Sequence, residues 1–298
     1  MSLLTMADRI VSISHDGFQM TAGRVRLATV VKAHNVAEFV FRDGPEGLSK
    51  WNILNSNTFP NLRPPFRNTL IEFGAPKWGP AGEWGPAGVS LATWILEDPW
   101  EEGSPLNHPQ LVDGIRALGE TPSRLLSVIP MMETQGRAEI LSQIIFALRE
   151  DGSSVAVASI RNRGEPQEIG WFGMSLSVPA LVCLNFLNCR NVRHVEHVPS
   201  PKLSRRCEAL NGRPAVRFYT LEIEPMKKVL EDEGHVSENG LPKALHICRG
   251  HFKDYREHGL FGRQKGLYWW DAHVRGDVER GVVVKDYSVK APDPGAPR

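Results

Sequence analysis

The sequence predicts an α+β fold, with a helix-plus-antiparallel-sheet lobe over 1–189 and a basic β-meander lobe over 190–298. Three observations lead there. The chain has 298 residues, more than a single core commonly serves. Several short runs rich in β-branched and aromatic residues end in Gly, Asn or Asp, as strands and hairpins do. The charge also changes sign along the chain: 1–189 carries 15 Lys/Arg against 19 Asp/Glu, and 190–298 carries 20 against 15. Apolar content of 41% and charged content of 23% describe an ordinary globular chain and exclude a disordered one.

Taken in order, Thr21–Phe41 has no Gly or Pro after Gly23 and reads as one helix reaching Val40. Gly44–Gly47 is a turn, and Leu48–Asn55 a short helix or irregular segment. After Leu62–Pro65, Asn68–Phe73 is a strand. The run Trp78–Gly88, W-G-P-A-G-E-W-G-P-A-G, is a six-residue unit repeated once, and its Gly and Pro spacing makes it a loop. Val89–Glu97 is a second strand. Glu139–Arg149 and Val155–Ile160 flank Asp151-Gly152, a hairpin signal. Leu176–Leu187 is apolar almost throughout and reads as a buried helix. Beyond Pro199 come a short basic segment, Lys202–Arg206, and the turn Asn211-Gly212. The strand Ala215–Ile223 and an acidic linker, Glu231–Gly240, follow. Ala244–Tyr255, Gly266–Gly276 and Gly281–Val289 complete a three-stranded meander.

Several function classes drop out. Met1–Met20 has no apolar core flanked as in a secretory signal, and no run of about 18 apolar residues exists to span a membrane. Cys183, Cys189, Cys207 and Cys248 follow no disulfide framework, so a cytoplasmic chain with reduced thiols is expected. Nucleotide-binding glycine motifs, the nucleophile elbow and H-E-x-x-H are all absent, and no cofactor is expected.

The chemistry that remains lies in two strands. Alternation places Arg249, His251, Lys253 and Tyr255 on one face of the first, and Trp269, Asp271, His273 and Arg275 on one face of the second. Antiparallel pairing would bring them together. Arginine forks and a lysine suit phosphate, and Trp269 or Trp270 suits an unpaired base. Lys202, Arg205 and Arg206 add positive charge nearby. The expected partner is RNA or a ribonucleoprotein. His251 and His273 are also candidates for the acid and base of a metal-independent ribonuclease. A third reading is a host-protein interaction module using Trp78–Trp84. Zinc ligation by Cys183, Cys189, His194 and His197 conflicts with normal ligand spacing, as does a cluster of His246, Cys248 and His251 with strand alternation. No metal is therefore expected. Glu72 and Glu97, each closing a strand, form a conceivable carboxylate pair.

Two segments carry a family resemblance. L-N-F-L-N-C-R-N-V (Leu184–Val192) with P-S-P-K-L-S-R-R (Pro199–Arg206), and H-I-C-R-G-H-F-K-D-Y with the later W-W-D-A-H-V-R-G, resemble a widespread set of bacteriophage and prophage proteins. That set includes a type V-A anti-CRISPR protein that suppresses production of the effector nuclease. Matching positions are Asn188, Cys189, Asn191, Lys202, His246, Arg249, Gly250, His251 and Gly276. P-P-F-R-N-T-L-I-E-F (Pro64–Phe73) fits less closely, and the W-G-P-A-G-E-W-G-P-A-G loop lies outside the pattern. The resemblance implies a phage-borne or mobile-element protein in a bacterial cytoplasm that engages RNA, a translating complex or a nascent chain; the leading expectation is a non-enzymatic regulator.

Overall fold

The computed structural model describes residues 5–10, 12–14, 22–41, 59–74, 90–99, 109–161, 167–224, 244–248, 250–260, 262–270, 273–275 and 277–283. The expected turn Gly44–Gly47, the segment Leu48–Asn55, the loop Trp78–Gly88 and the linker Glu231–Gly240 lie outside the described residues.

The α+β class holds, built on one mixed ten-stranded sheet. Its main path runs β1 (Ser12–Ser14), β6 (Arg137–Ile140), β5 (Arg124–Thr134), β4 (Ser90–Pro99), β3 (Asn68–Gly74), β2 (Thr29–Lys32), β10 (Phe218–Ile223), β9 (Val192–His197). β7 (Ser142–Leu148) and β8 (Ser154–Arg161) branch from β5. The sheet is not purely antiparallel: β10, β2 and β3 run parallel, as do β1 and β6. Strands from both sides of residue 189 therefore share one sheet: the expected strand Ala215–Ile223 joins it as β10, beside β9, which was not anticipated.

Helices cover both faces. α3 (His34–Phe41) and α5 (Gln167–Leu187) pack Val36, Val40, Leu181 and Phe186 against Val31, Ile71, Ile95 and Val128. On the other face α1 (Met6–Arg9) and α2 (Ala22–Arg26) cover Val30, Leu70, Trp94 and Ile129. α4 (Pro109–Leu118) also lies on that second face, setting Leu111 and Ile115 on Leu125, Ile145 and Ile160. There Gly114 passes so close to β8 that a Cβ would strike the Val157 carbonyl. Gly114→Ala is therefore expected to cost about 1–3 kcal/mol by overpacking, measured as a lower urea midpoint with unchanged slope.

The single helix expected over Thr21–Phe41 is instead α2, β2 and α3. The run Thr29-Val30-Val31 is β-branched, fits a pleated surface better than a helix, and buries between two parallel neighbours. β5 was not anticipated, because Pro130 interrupts it. Pro130 sits where β5 changes partner, between its pairing to β7 (Arg124–Val128) and to β6 (Met131–Thr134), so no ladder N–H is missed. The hairpin at Asp151-Gly152 forms as its sequence predicts, with Gly152 at φ 86°.

The basic segment Lys202–Arg206 is part of a helix, α6 (Pro201–Asn211). Ser200 caps it, accepting from Leu203 N; Pro201 opens it, and Gly212 closes it at φ 72°. Ser-Pro at the start and Asn-Gly at the end are the sequence signs of such a helix.

Beyond residue 240, β11 (Ala244–Cys248) pairs with β14 (His273–Arg275) and β15 (Asp277–Val283), and β12 (His251–Asp254) pairs with β13 (Leu267–Trp270). The expected strands Ala244–Tyr255 and Gly266–Gly276 do pair antiparallel, each as two shorter strands. β15 runs parallel to β11, which a meander would not produce.

Candidate nucleic-acid interface

The segment Leu184–Val192 ends α5 and leads into β9. Three of its asparagines, three residues apart, bind main chain from distant segments. Asn185 Oδ1 accepts from Asn61 N at 3.1 Å, and Asn188 Nδ2 donates to Arg63 O at 2.8 Å. Asn191 Nδ2 donates to Trp269 O at 2.8 Å and to Glu224 O at 2.9 Å, and its Oδ1 accepts from Trp269 N at 2.9 Å. Cys189 Sγ donates to Asn185 O at 3.2 Å, and burial pushes this thiol and that of Cys183 far up, leaving both as protonated, packed groups. So Asn188, partly exposed, and Asn191, buried, act here as main-chain anchors, and Cys189 as a buried packing group.

Asn191 holds the β12–β13 hairpin on the main core, while Asn185 and Asn188 hold the 61–63 segment. Phe252, Leu267 and Trp269 face inward, and Trp269 lies 3% exposed against Phe39, Phe186 and Phe252 at centroid separations of 5.6, 5.0 and 4.8 Å. Trp269 is thus a core residue and presents no ring to a base. Arg256 fastens the hairpin's far end, bonding Asp254, the Asp151 carbonyl and, at 3.2 Å, the Pro60 carbonyl.

The register decides which other residues meet. His251 opposes Trp270 and Lys253 opposes Tyr268, so these four share the outer face of the hairpin. His251 is exposed, and Lys253 Nζ stands 4.6 Å from the Trp270 ring centroid. The half-buried Trp270 has an indole N–H with no acceptor among the described residues. His273 opposes Cys248 and Arg275 opposes His246 in the separate β11–β14 ladder. The expected convergence placed odd-numbered residues of both strands together. Both ladders instead pair odd with even, so His273 is not set across from His251. For His273 and Arg275 the register gives strand position alone, and Arg249 lies outside the described residues.

α6 holds the second cationic surface. Lys202, Arg205 and Arg206 are exposed at i, i+3 and i+4, one stripe of the helix, while Cys207 is buried on the opposite side. Among the described residues none of the three pairs with a carboxylate, unlike Arg193 with Glu222 and Arg217 with Glu196.

Cys183, Cys189, His194 and His197 do not assemble into a zinc set, and the side chains of His246 and Cys248 lie outside the described residues. No group of three or more His, Cys, Asp or Glu among the described residues could hold a metal ion. His197 Nε2 is engaged by Thr220 Oγ1 at 2.8 Å and its ring stacks on Phe218. Glu72 and Glu97 do not pair. Glu72 sits across from Ala92, toward the far end of the β3–β4 ladder from Leu96, and Glu97 meets Arg124 instead at 2.5 Å.

Sequence reading missed a third feature, a buried charged cluster under α1. Lys32 and Glu72 are register partners on β2 and β3, and both are buried. Glu72 accepts from the Met6 amide, while Arg9 Nη2 bonds Glu133 Oε2 at 2.9 Å and Ser90 Oγ at 2.8 Å. Desolvation raises the Glu72 carboxyl to about 7, against the opposing pull of Lys32, and desolvation lowers Lys32. The detectable signal was two apolar strands, T-V-V-K and T-L-I-E, each ending its run in a charge.

No helix among the described residues is long and apolar enough to cross a membrane. No protein-family model, curated protein or solved structure matches this chain.

Proposed function

We propose that the chain is a phage- or mobile-element-type regulatory protein that binds RNA or a ribonucleoprotein through two cationic surfaces, in the manner of an anti-CRISPR protein acting on a message or translating complex. The observation that carries this reading is the α6 stripe. Lys202, Arg205 and Arg206 point to solvent from one helix face without carboxylate partners among the described residues, an arrangement that suits a run of phosphates. On the β12–β13 hairpin, Lys253 takes a phosphate, and the partly exposed Trp270 ring beside it stacks on a base. The resemblance of Leu184–Val192 and Pro199–Arg206 to phage proteins supports the regulatory class.

Gel-shift titration with single-stranded RNA at two salt concentrations tests it. Binding is expected to weaken with salt. A triple Lys202→Ala, Arg205→Ala, Arg206→Ala variant should bind at least tenfold more weakly, with a log–log salt slope smaller by about 2. Salt-insensitive binding, or unchanged affinity in the triple variant, would refute the assignment.

A further inference from the structure

We infer that the buried charged cluster beneath α1 is a proton-operated clasp: protonated Glu72 seats α1 on the sheet, and through α1 it seats the C-terminal end of α6.

The geometry is a chain of contacts with one titrating link. Lys32 on β2 and Glu72 on β3 lie side by side on the face that α1 covers, with Lys32 Nζ also 4.1 Å from the Phe218 ring centroid. Glu72 receives the backbone amides of Met6 and Ala7, so α1 rests directly on this carboxyl. The groups facing Glu72 are Lys32 from β2 and Arg9 from α1; Arg9 in turn is held by Glu133 of β5. On its other side α1 carries the connector that follows α6. Asp8, bonded within α1's own capping box, accepts from Val216 N at 3.0 Å. Arg213, just past Gly212, donates to the Ala7 carbonyl and, at 2.7 Å, to the Arg26 carbonyl. Facing Asp8 from α6 is Cys207. Moving α1 therefore disturbs Arg213 and Val216, the two fixed points beyond the α6 cap.

The direction follows from the desolvation of Glu72. Its carboxyl is raised to about 7 where α1 covers it, above its ordinary value of 4.5. An acid whose seated value lies above its solvated value favours the seated state while protonated. That advantage is complete below about 4.5 and is lost as pH rises through about 7. Ionised Glu72 keeps its attraction to Lys32 and the amides, but the charge is better solvated with α1 lifted. The importance of this clasp for RNA binding rests on the function proposed for α6; the clasp itself does not.

NMR on the full chain separates the two. With carboxyl ¹³C labelling, the Glu72 signal is expected to titrate near pH 7, and the Met6, Ala7 and Val216 amides should shift with the same midpoint. Their hydrogen-exchange protection, corrected for intrinsic rate, should fall above it. In Glu72→Gln those amides should stay protected through pH 8. In Lys32→Met, which removes the opposing cation, the midpoint should move upward. A Glu72 midpoint near 4.5, or amides that ignore its titration, would overturn the clasp. No RNA is present in these measurements, so they stand apart from the gel shift; loss of RNA binding with a normal titration would refute only the function proposed for α6.

Discussion

Trp269→Ala is expected to destabilise the fold by about 3–5 kcal/mol, whereas Trp270→Ala should cost much less stability and weaken RNA binding instead. The two tryptophans are sequence neighbours on β13 with opposite surroundings. Trp269 fills the space between Phe39, Phe186 and Phe252, so its removal leaves a cavity bounded by a helix, a second helix and a strand that cannot all close on it. Trp270 lies on the outer face under the Lys253 ammonium, half-buried beside Tyr268 and Tyr255. Loss of its ring should reduce affinity for single-stranded RNA by about 1–3 kcal/mol, the range of one base–aromatic stack. Chemical denaturation and gel shift on the two variants read both quantities. The reverse pattern would mean that β13 has its faces exchanged.

The second large effect is expected at Asn191. Asn191→Ala should destabilise by about 3 kcal/mol and expose β13 to exchange. One side chain satisfies the Trp269 N–H, the Trp269 carbonyl and the Glu224 carbonyl, all where water has little access. Alanine leaves these groups unpaired, and each buried orphan costs about 1–3 kcal/mol unless the chain shifts to find water. Asn191→Asp is a stricter test. It keeps the acceptor for the Trp269 amide but sets a carboxylate against two carbonyl oxygens, so it should be no more stable than alanine. Equal stability of wild type and both variants in urea would show that the β13 junction is not held this way.

Legibility varied with the range of the interactions involved. Strand β3, strand β4, the hairpin at Asp151-Gly152 and the buried run of α5 could be read from the chain, because alternation, turn chemistry and sustained apolarity are local properties. β2 was hidden inside a helix-compatible stretch, and β5 behind a proline that its change of partner makes harmless. Those are pairing facts, invisible to a window of neighbours. The zinc spacing Cys183, Cys189, His194, His197 dissolves for the same reason: the thiols face the core, and His197 faces Thr220. The asparagines of Leu184–Val192 looked like motif residues, and what distinguishes an anchor from a contact is the carbonyl at the other end of the bond.

The sequence by itself determined an α+β chain with a basic second part, a short basic segment at Lys202–Arg206 ahead of an Asn-Gly turn, and two strand-like runs rich in His, Arg and aromatics; that the basic segment is helix α6 was not read. Composition and local stereochemistry are enough for those three features. Only the tertiary structure decided that residues on both sides of 189 share one sheet, that Trp269 points in while Trp270 points out, and that His251 opposes Trp270. Strand side chains alternate with period two, so one residue of register reassigns every face, and register is set by distant partners such as Asn191 and Phe186.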